Sequence, residues 1–239
     1  MRPVGEIEFA RAVAEESART PGAEIAGLVG YADMTLGEGV MPVLQAEVGA
    51  GGRRFCGIRF ATAWDPSPEI GAYRNPPPGL LLDDTVRQGI ACLDRLGLTF
   101  DALAYHHQLL EVASLARAFP GLRIVLNHTG QPLAIGPYAG KRDEVFRYWR
   151  AGMAELATCE NVFVKVGGLA MASFGFGWHT REVPAGSQEL AEAWAPYYGA
   201  CLELLGAGRC MFESNFPVDK VSCSYAVLWN AFKRLARDL

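Results

Sequence analysis

The sequence predicts an α/β fold: a parallel sheet curled as a TIM-type (β/α) barrel, incomplete, with about six of the eight strands of a closed barrel. Three observations predict it. Short apolar runs alternate with segments of helical period, as in βαβ units. Links from helix to strand are brief, whereas links from strand to helix are long and hold the unusual residues, the asymmetry of a barrel whose working face lies at the strand C-termini. An open doubly wound sheet also places its ligand there, but no GxGxxG or GxxxxGK[ST] follows any strand, so nothing supports a nucleotide site.

The elements follow in order. A helix is expected over 5–19, then a strand at "IAGLVGYAD" (25–33) and a helix over 37–49. "RFCGIRFA" (54–61) is the next strand, followed by the long loop "TAWDPSPEIGAYRNPPPGLL" (62–81) and a helix over 82–96. "LTFDALAYH" (98–106) leads to a helix over 108–118. "LRIVLNH" (122–128), with Ile124, Val125 and Leu126 as a buried run, leads through "TGQPLAIGPYAG" (129–140) to a helix over 141–158. "NVFVKVGG" (161–168) precedes the loop "GLAMASFGFGWHTREVPAGS" (168–187) and a helix over 188–205. "RCMFESN" (209–215) and a helix over 222–237 close the chain. No linker, charge run or repeat divides it, so residues 1–239 are expected to form a single domain.

Composition narrows the function. Half of the 239 residues are hydrophobic and 20% are charged, which fits a globular chain with a substantial core. A net charge of −4 gives no basic footprint for nucleic acid and no polybasic membrane patch. The apolar runs fall short of the roughly 18–20 residues that span a bilayer. The N-terminal stretch has no apolar signal core, so a cytoplasmic location is expected. The six cysteines form no CxxC pair and read as reduced thiols rather than a disulfide or zinc framework.

The candidate chemistry lies at the strand ends. His106 and His107 close one strand and His128 the next; His179 lies in the loop after 161–168; Asp33, Arg59 and Lys165 sit near other strand ends; and "ESNFPVDK" supplies Glu213, Asn215 and Asp219. Neighbouring parallel strands lie about 5 Å apart, so their tips converge. His106, His128 and Arg59 are therefore expected to face one cavity. Such a ring suits hydrolysis of a small molecule. A histidine takes a proton from water or binds a metal, and a metal acidifies its water. Arg59 offers a two-pronged donor to a substrate carboxylate. Lys165 either stabilises an oxyanion or forms an ion pair in the barrel mouth. His179 is either part of a lid or a solvated loop residue. Asp33 joins the substrate-binding candidates. No GxSxG elbow is present.

Over essentially the whole chain, "YHHQLLEVASLARAFPGLRIVLNHTGQPL", "NVFVKVGGL" and "CMFESNFPVDKVSCSYAVLWNAFKR" resemble the amidohydrolase-2 family, close to the sugar-lactone and pyrone-dicarboxylate lactonases. The resemblance implies a TIM-barrel hydrolase that opens a lactone or similar small carboxylated carbonyl compound with activated water. A metal-dependent decarboxylase and a catalytically inactive barrel fragment are the alternatives. It implies a divalent metal, zinc or manganese, with His106 or His107 and His128 as candidate catalytic residues and His106 and His128 as candidate ligands. The family's opening HxH motif is absent, which leaves the expected metal site incomplete, and its general-base aspartate is replaced by Asn215, so either Asp219, Glu213 or a histidine acts as base or this branch uses other chemistry. The chain is expected to begin after the family's second strand and to stop within its last helical region. Loss of two adjacent strands leaves a gap bordered by 25–33 and 209–215, with apolar inner faces such as Leu28 and Met211. That gap stays open, is covered by the helix at 5–19, or is filled by a second chain in a homo-oligomer.

Overall fold

The computed structural model describes residues 3–70 and 76–237. Residues 71–75 of the loop expected over 62–81, and the outermost residues of the expected 1–239 domain, lie outside the described residues. Six parallel strands form one curled sheet in sequential order: β1 (Leu28–Gly30), β2 (Phe55–Ala61), β3 (Thr99–Leu103), β4 (Ile124–Leu126), β5 (Val162–Val166) and β6 (Cys210–Phe212). Seven helices are described: α1 (Pro3–Ser17), α2 (Met41–Gly51), α3 (Asp84–Leu96), α4 (Leu109–Ala118), α5 (Arg142–Ala157), α6 (Ser187–Leu205) and α7 (Tyr225–Leu235). The sheet does not close, and β1 and β6 are its edges. The incomplete barrel expected from the sequence is therefore the architecture observed.

Alternation along the strands sorts the two faces. Ile58, Phe60, Phe100, Ala102, Ile124, Leu126, Val162 and Val164 point to the helices and are buried. They join Ile90, Leu93, Val112, Trp149 and Met153 in one continuous core. Each large side chain buried there contributes about 1.5–3 kcal/mol. The opposite, concave face is polar. Arg59 pairs in register with Asp101, and Lys165 with Met211. Helix ends follow local signals: the Asp83 side chain accepts from the Val86 N–H at the start of α3, and Gly97 ends that helix in the left-handed conformation.

Two expectations are corrected. Leu28 does not lie exposed along the gap. It is buried at 7%, while Val29 is 42% exposed, because successive side chains of β1 alternate between its two faces. Met211 is 40% exposed, as expected of a gap-bordering strand. The strands are also shorter than the apolar runs. The run 122–128 yields only Ile124–Leu126, because His128 to Gln131 all take positive φ and turn the chain away. Helix α1 packs on α2 and β1, with Ile7 beside Gly30 and Gly51.

Candidate active site

Arg59, His128 and Asn215 come together. With Tyr105, Gln131 and Met171 they line a cavity of about 220 Å³ at the C-terminal ends of the strands. His128 is held in its wall from both sides. Its Nδ1 lies 2.8 Å from Glu213 Oε1, the same oxygen that accepts the His128 backbone N–H at 2.7 Å. Its Nε2 lies 3.0 Å from Arg59 Nη2. A guanidinium only donates, so Nε2 accepts. The proton therefore sits on Nδ1 and is donated to Glu213. The result is a carboxylate–imidazole pair whose tautomer is fixed from both sides, an arrangement that suits a base acting through Nε2.

The backbone is shaped around this ring. His128 has φ 53° and Thr129 φ 55°, left-handed values that cost bulky residues about 1–2 kcal/mol each. Tertiary contacts hold them: Thr129 Oγ1 bridges the Gly167 backbone, and Trp149 Nε1 donates to the Thr129 carbonyl at 2.7 Å. A Cβ on Gly168 would lie 2.7 Å from His128 Cβ, and one on Gly167 would meet the Glu213 carbonyl oxygen at 2.2 Å. The glycine pair of "KVGGL" is thus what lets the imidazole and Glu213 approach β5.

Asn215 does not stand alone. Its Nδ2 donates to Asp219 Oδ1 at 2.7 Å, and the Ala170 N–H donates to Asp219 Oδ2 at 3.2 Å. Asp219 is fully buried. Burial raises its carboxyl to about 7, against those two hydrogen bonds, with the nearby Glu213 adding to the rise. Lys165 is engaged on the concave face, bridging Asp101 and the Asn127 side-chain oxygen. It does not line the cavity.

The remaining candidates lie elsewhere. Asp33 caps a 3₁₀ segment, its carboxylate accepting from the Thr35 N–H and hydroxyl. His179 is exposed in the turn Trp178–Thr180. His106 and His107 do not join His128, contrary to the expectation of one shared cavity. They line a second cavity, of about 590 Å³, between the loops after β2, β3 and β4 and the start of α5. The reason is local. Tyr105 points to the smaller cavity, and the chain then turns into a 3₁₀ segment that swings both imidazoles to the other side. Burial, then the adjacent His107, lowers His106 to about 4, so it is uncharged at neutral pH. Sequence reasoning missed Tyr105, Gln131 and Met171, which carry no signal beyond their place near a loop.

The donors described do not fit a metal. His128 commits Nδ1 to Glu213 and Nε2 to a cationic guanidinium, and His106 faces the other cavity. Among the described residues, no three His, Cys, Asp or Glu side chains converge where an ion could sit.

The family model described as amidohydrolase matches residues 6–239. The chain belongs to the amidohydrolase family. The chain is similar to the uncharacterized protein y4mH of Sinorhizobium fredii, 33% identical over 98% of this chain and 68% of that protein's length. An L-fucono-1,5-lactonase of Burkholderia ambifaria is 33% identical over 52% of this chain and 37% of its own. A crystal structure of an amidohydrolase from Burkholderia multivorans with bound zinc superposes with a TM-score of 0.74 at 23% identity, covering 98% of this chain and 72% of that one. At that identity the likeness shows the fold. Among the described residues no helix is long and apolar enough to cross a membrane.

Proposed function

We propose that this amidohydrolase opens a small lactone, with His128 as the base and Arg59 as the anchor for the substrate's carbonyl or an anionic substituent. The observation that carries the reading is the Glu213–His128–Arg59 chain at the wall of a cavity sized for a small molecule. The lactonase relatives, matched over part of their length, support the substrate class.

The chemistry follows from the hydrogen bonds. Glu213 holds the imidazole in the Nδ1–H tautomer and stabilises the imidazolium that forms when Nε2 takes a proton. Arg59 covers Nε2 in the free protein. A substrate oxygen competes for the guanidinium, and its withdrawal leaves the Nε2 lone pair for a water. The water oxygen attacks the lactone carbonyl, its proton passes to Nε2, and the arginine faces the oxyanion that develops. Collapse of the tetrahedral intermediate breaks the ring C–O bond, and the imidazolium returns the proton to the leaving alkoxide. Asn215 cannot accept a proton. With its Nδ2 spent on Asp219, its carbonyl oxygen is left to orient the water.

Hydrolysis of a panel of 1,5-lactones, L-fucono-1,5-lactone first, tests the reading by following acid release. His128→Ala is expected to lower turnover by roughly 10²–10⁴-fold with the fold retained. No hydrolysis across the panel, or an unchanged rate in that variant, overturns it.

A further inference from the structure

The 590 Å³ cavity lined by His106 and His107 shares no lining residue with the cavity at His128 and lies within the size range of ligand pockets. The structure assigns it as a second binding site, for a small protonated amine carrying an aromatic or branched apolar body.

The polar groups determine the ligand's charge. His107 Nε2 lies 2.9 Å from the Trp64 carbonyl oxygen. A carbonyl only accepts, so the proton is on Nε2 and Nδ1 presents a bare lone pair. That Nδ1 is buried and has no hydrogen-bond partner. A buried acceptor without a donor is uncommon in native proteins, and the imidazole that carries it lines the cavity. Asp65, whose Oδ2 accepts the Tyr138 hydroxyl at 2.7 Å and lies 3.8 Å from His107 Nε2, also lines the space. Glu144 and Lys141 line it too, so two carboxylates face one ammonium, and the balance favours a cation.

The walls supply the apolar part. His106 stands edge-on to Tyr138 at 5.0 Å and to Tyr148 at 6.0 Å, and His107 lies nearly parallel to Tyr138 at 6.3 Å. Rings set at right angles around one space offer both faces and edges to a ligand, and a cation over a tyrosine face gains further attraction.

Calorimetric titration of the whole chain with benzylamine, benzyl alcohol and phenylacetate tests the assignment. Benzylamine is expected to bind one to one, benzyl alcohol at least ~10-fold more weakly, and phenylacetate more weakly still. Tyr148→Ala, at a half-exposed rim position and so safe for folding, is expected to weaken benzylamine several-fold, and His107→Phe at least ~10-fold. Arg59→Ala is expected to leave benzylamine binding as it was. The assignment fails if benzylamine shows no binding up to about 10 mM. It fails equally if the neutral or anionic probe binds as well, if Tyr148→Ala has no effect, or if Arg59→Ala abolishes binding and so moves the ligand to the other cavity.

Discussion

Replacing Lys165 by Met separates a structural ion pair from a substrate contact. Lys165 Nζ bridges Asp101 and Asn127 Oδ1, and the Asp101 side chain is only 2% exposed. The Met variant leaves a buried carboxylate with no cation and an amide oxygen with no donor. Breaking such a pair costs about 3–5 kcal/mol, and the lower end applies because Lys165 retains 23% exposure. For a chain of this length, about 3 kcal/mol lowers Tm by roughly 6–12 °C. The double variant Asp101→Asn, Lys165→Met removes both charges and lets Asn127 pair with a neutral amide. It is expected to recover about 2 kcal/mol as coupling energy. Urea unfolding of the three variants at pH 7 reads these numbers. A single-variant loss below about 1 kcal/mol, or strict additivity in the cycle, would refute the argument. Lactone hydrolysis is expected to return with stability, since Lys165 lies outside the cavity lining. Stability regained without turnover would instead put the ammonium in the chemistry.

Gly168→Ala combines a φ of +69° with a Cβ 2.7 Å from His128 Cβ. A stability loss of about 1–2 kcal/mol is expected from the backbone alone, with a larger fall in kcat as the imidazole is displaced from Glu213; an unchanged kcat would contradict the packing argument. Glu47 is fully buried with both carboxylate oxygens unpartnered, and burial, then Glu6, raises it to about 7. Its folded-state value lies above the unfolded one, so its contribution is intact below about pH 4.5 and is lost as pH rises through about 7, on the order of 3 kcal/mol in all. Glu47→Gln is expected to flatten denaturant-measured stability across that window, and an unchanged slope would place the pH dependence elsewhere. The sheet edges expose Val29 at 42%, Met211 at 40% and Phe212 at 37%. Concentration-dependent association is expected in light scattering, weakened by Met211→Lys, and a monodisperse monomer at high concentration would show the edges to be inert.

The fold was legible in the sequence where burial repeats with a period. All six strands and seven helices fall where apolar runs and helical segments alternate, because each strand must bury one face against the helix that follows it. The ends were less legible. The apolar run ends at Leu126, but nothing in the polar segment Asn127–Gln131 announces that His128 takes a φ of 53°. The helix expected from 37 begins at Met41, because Gly37 at φ 56° interrupts it.

In the site, strand-tip position brought Arg59, His128 and Asn215 together correctly in space, since strands in register place their tips side by side. Position alone could not divide Tyr105 from His106 and His107. A side chain's face reverses from one residue to the next, and the turn after β3 decides which face each takes. The pairing of His128 with Glu213 spans 85 residues and exists only in the folded chain, although its trace was present in Gly167 and Gly168. Position 215 shows the same limit most clearly. Read alone, an amide there is a missing carboxylate. In the fold, Asn215 donates to a buried Asp219 whose proton is held to about pH 7, so the acid has not vanished from this wall but stands four residues further on, behind the amide. A carboxylate at 215 would face Asp219 at hydrogen-bond distance with Glu213 close by, and like charges so placed cannot all ionise. The amide relieves that repulsion, which leaves His128, with Glu213 behind it, as the group free to take the proton.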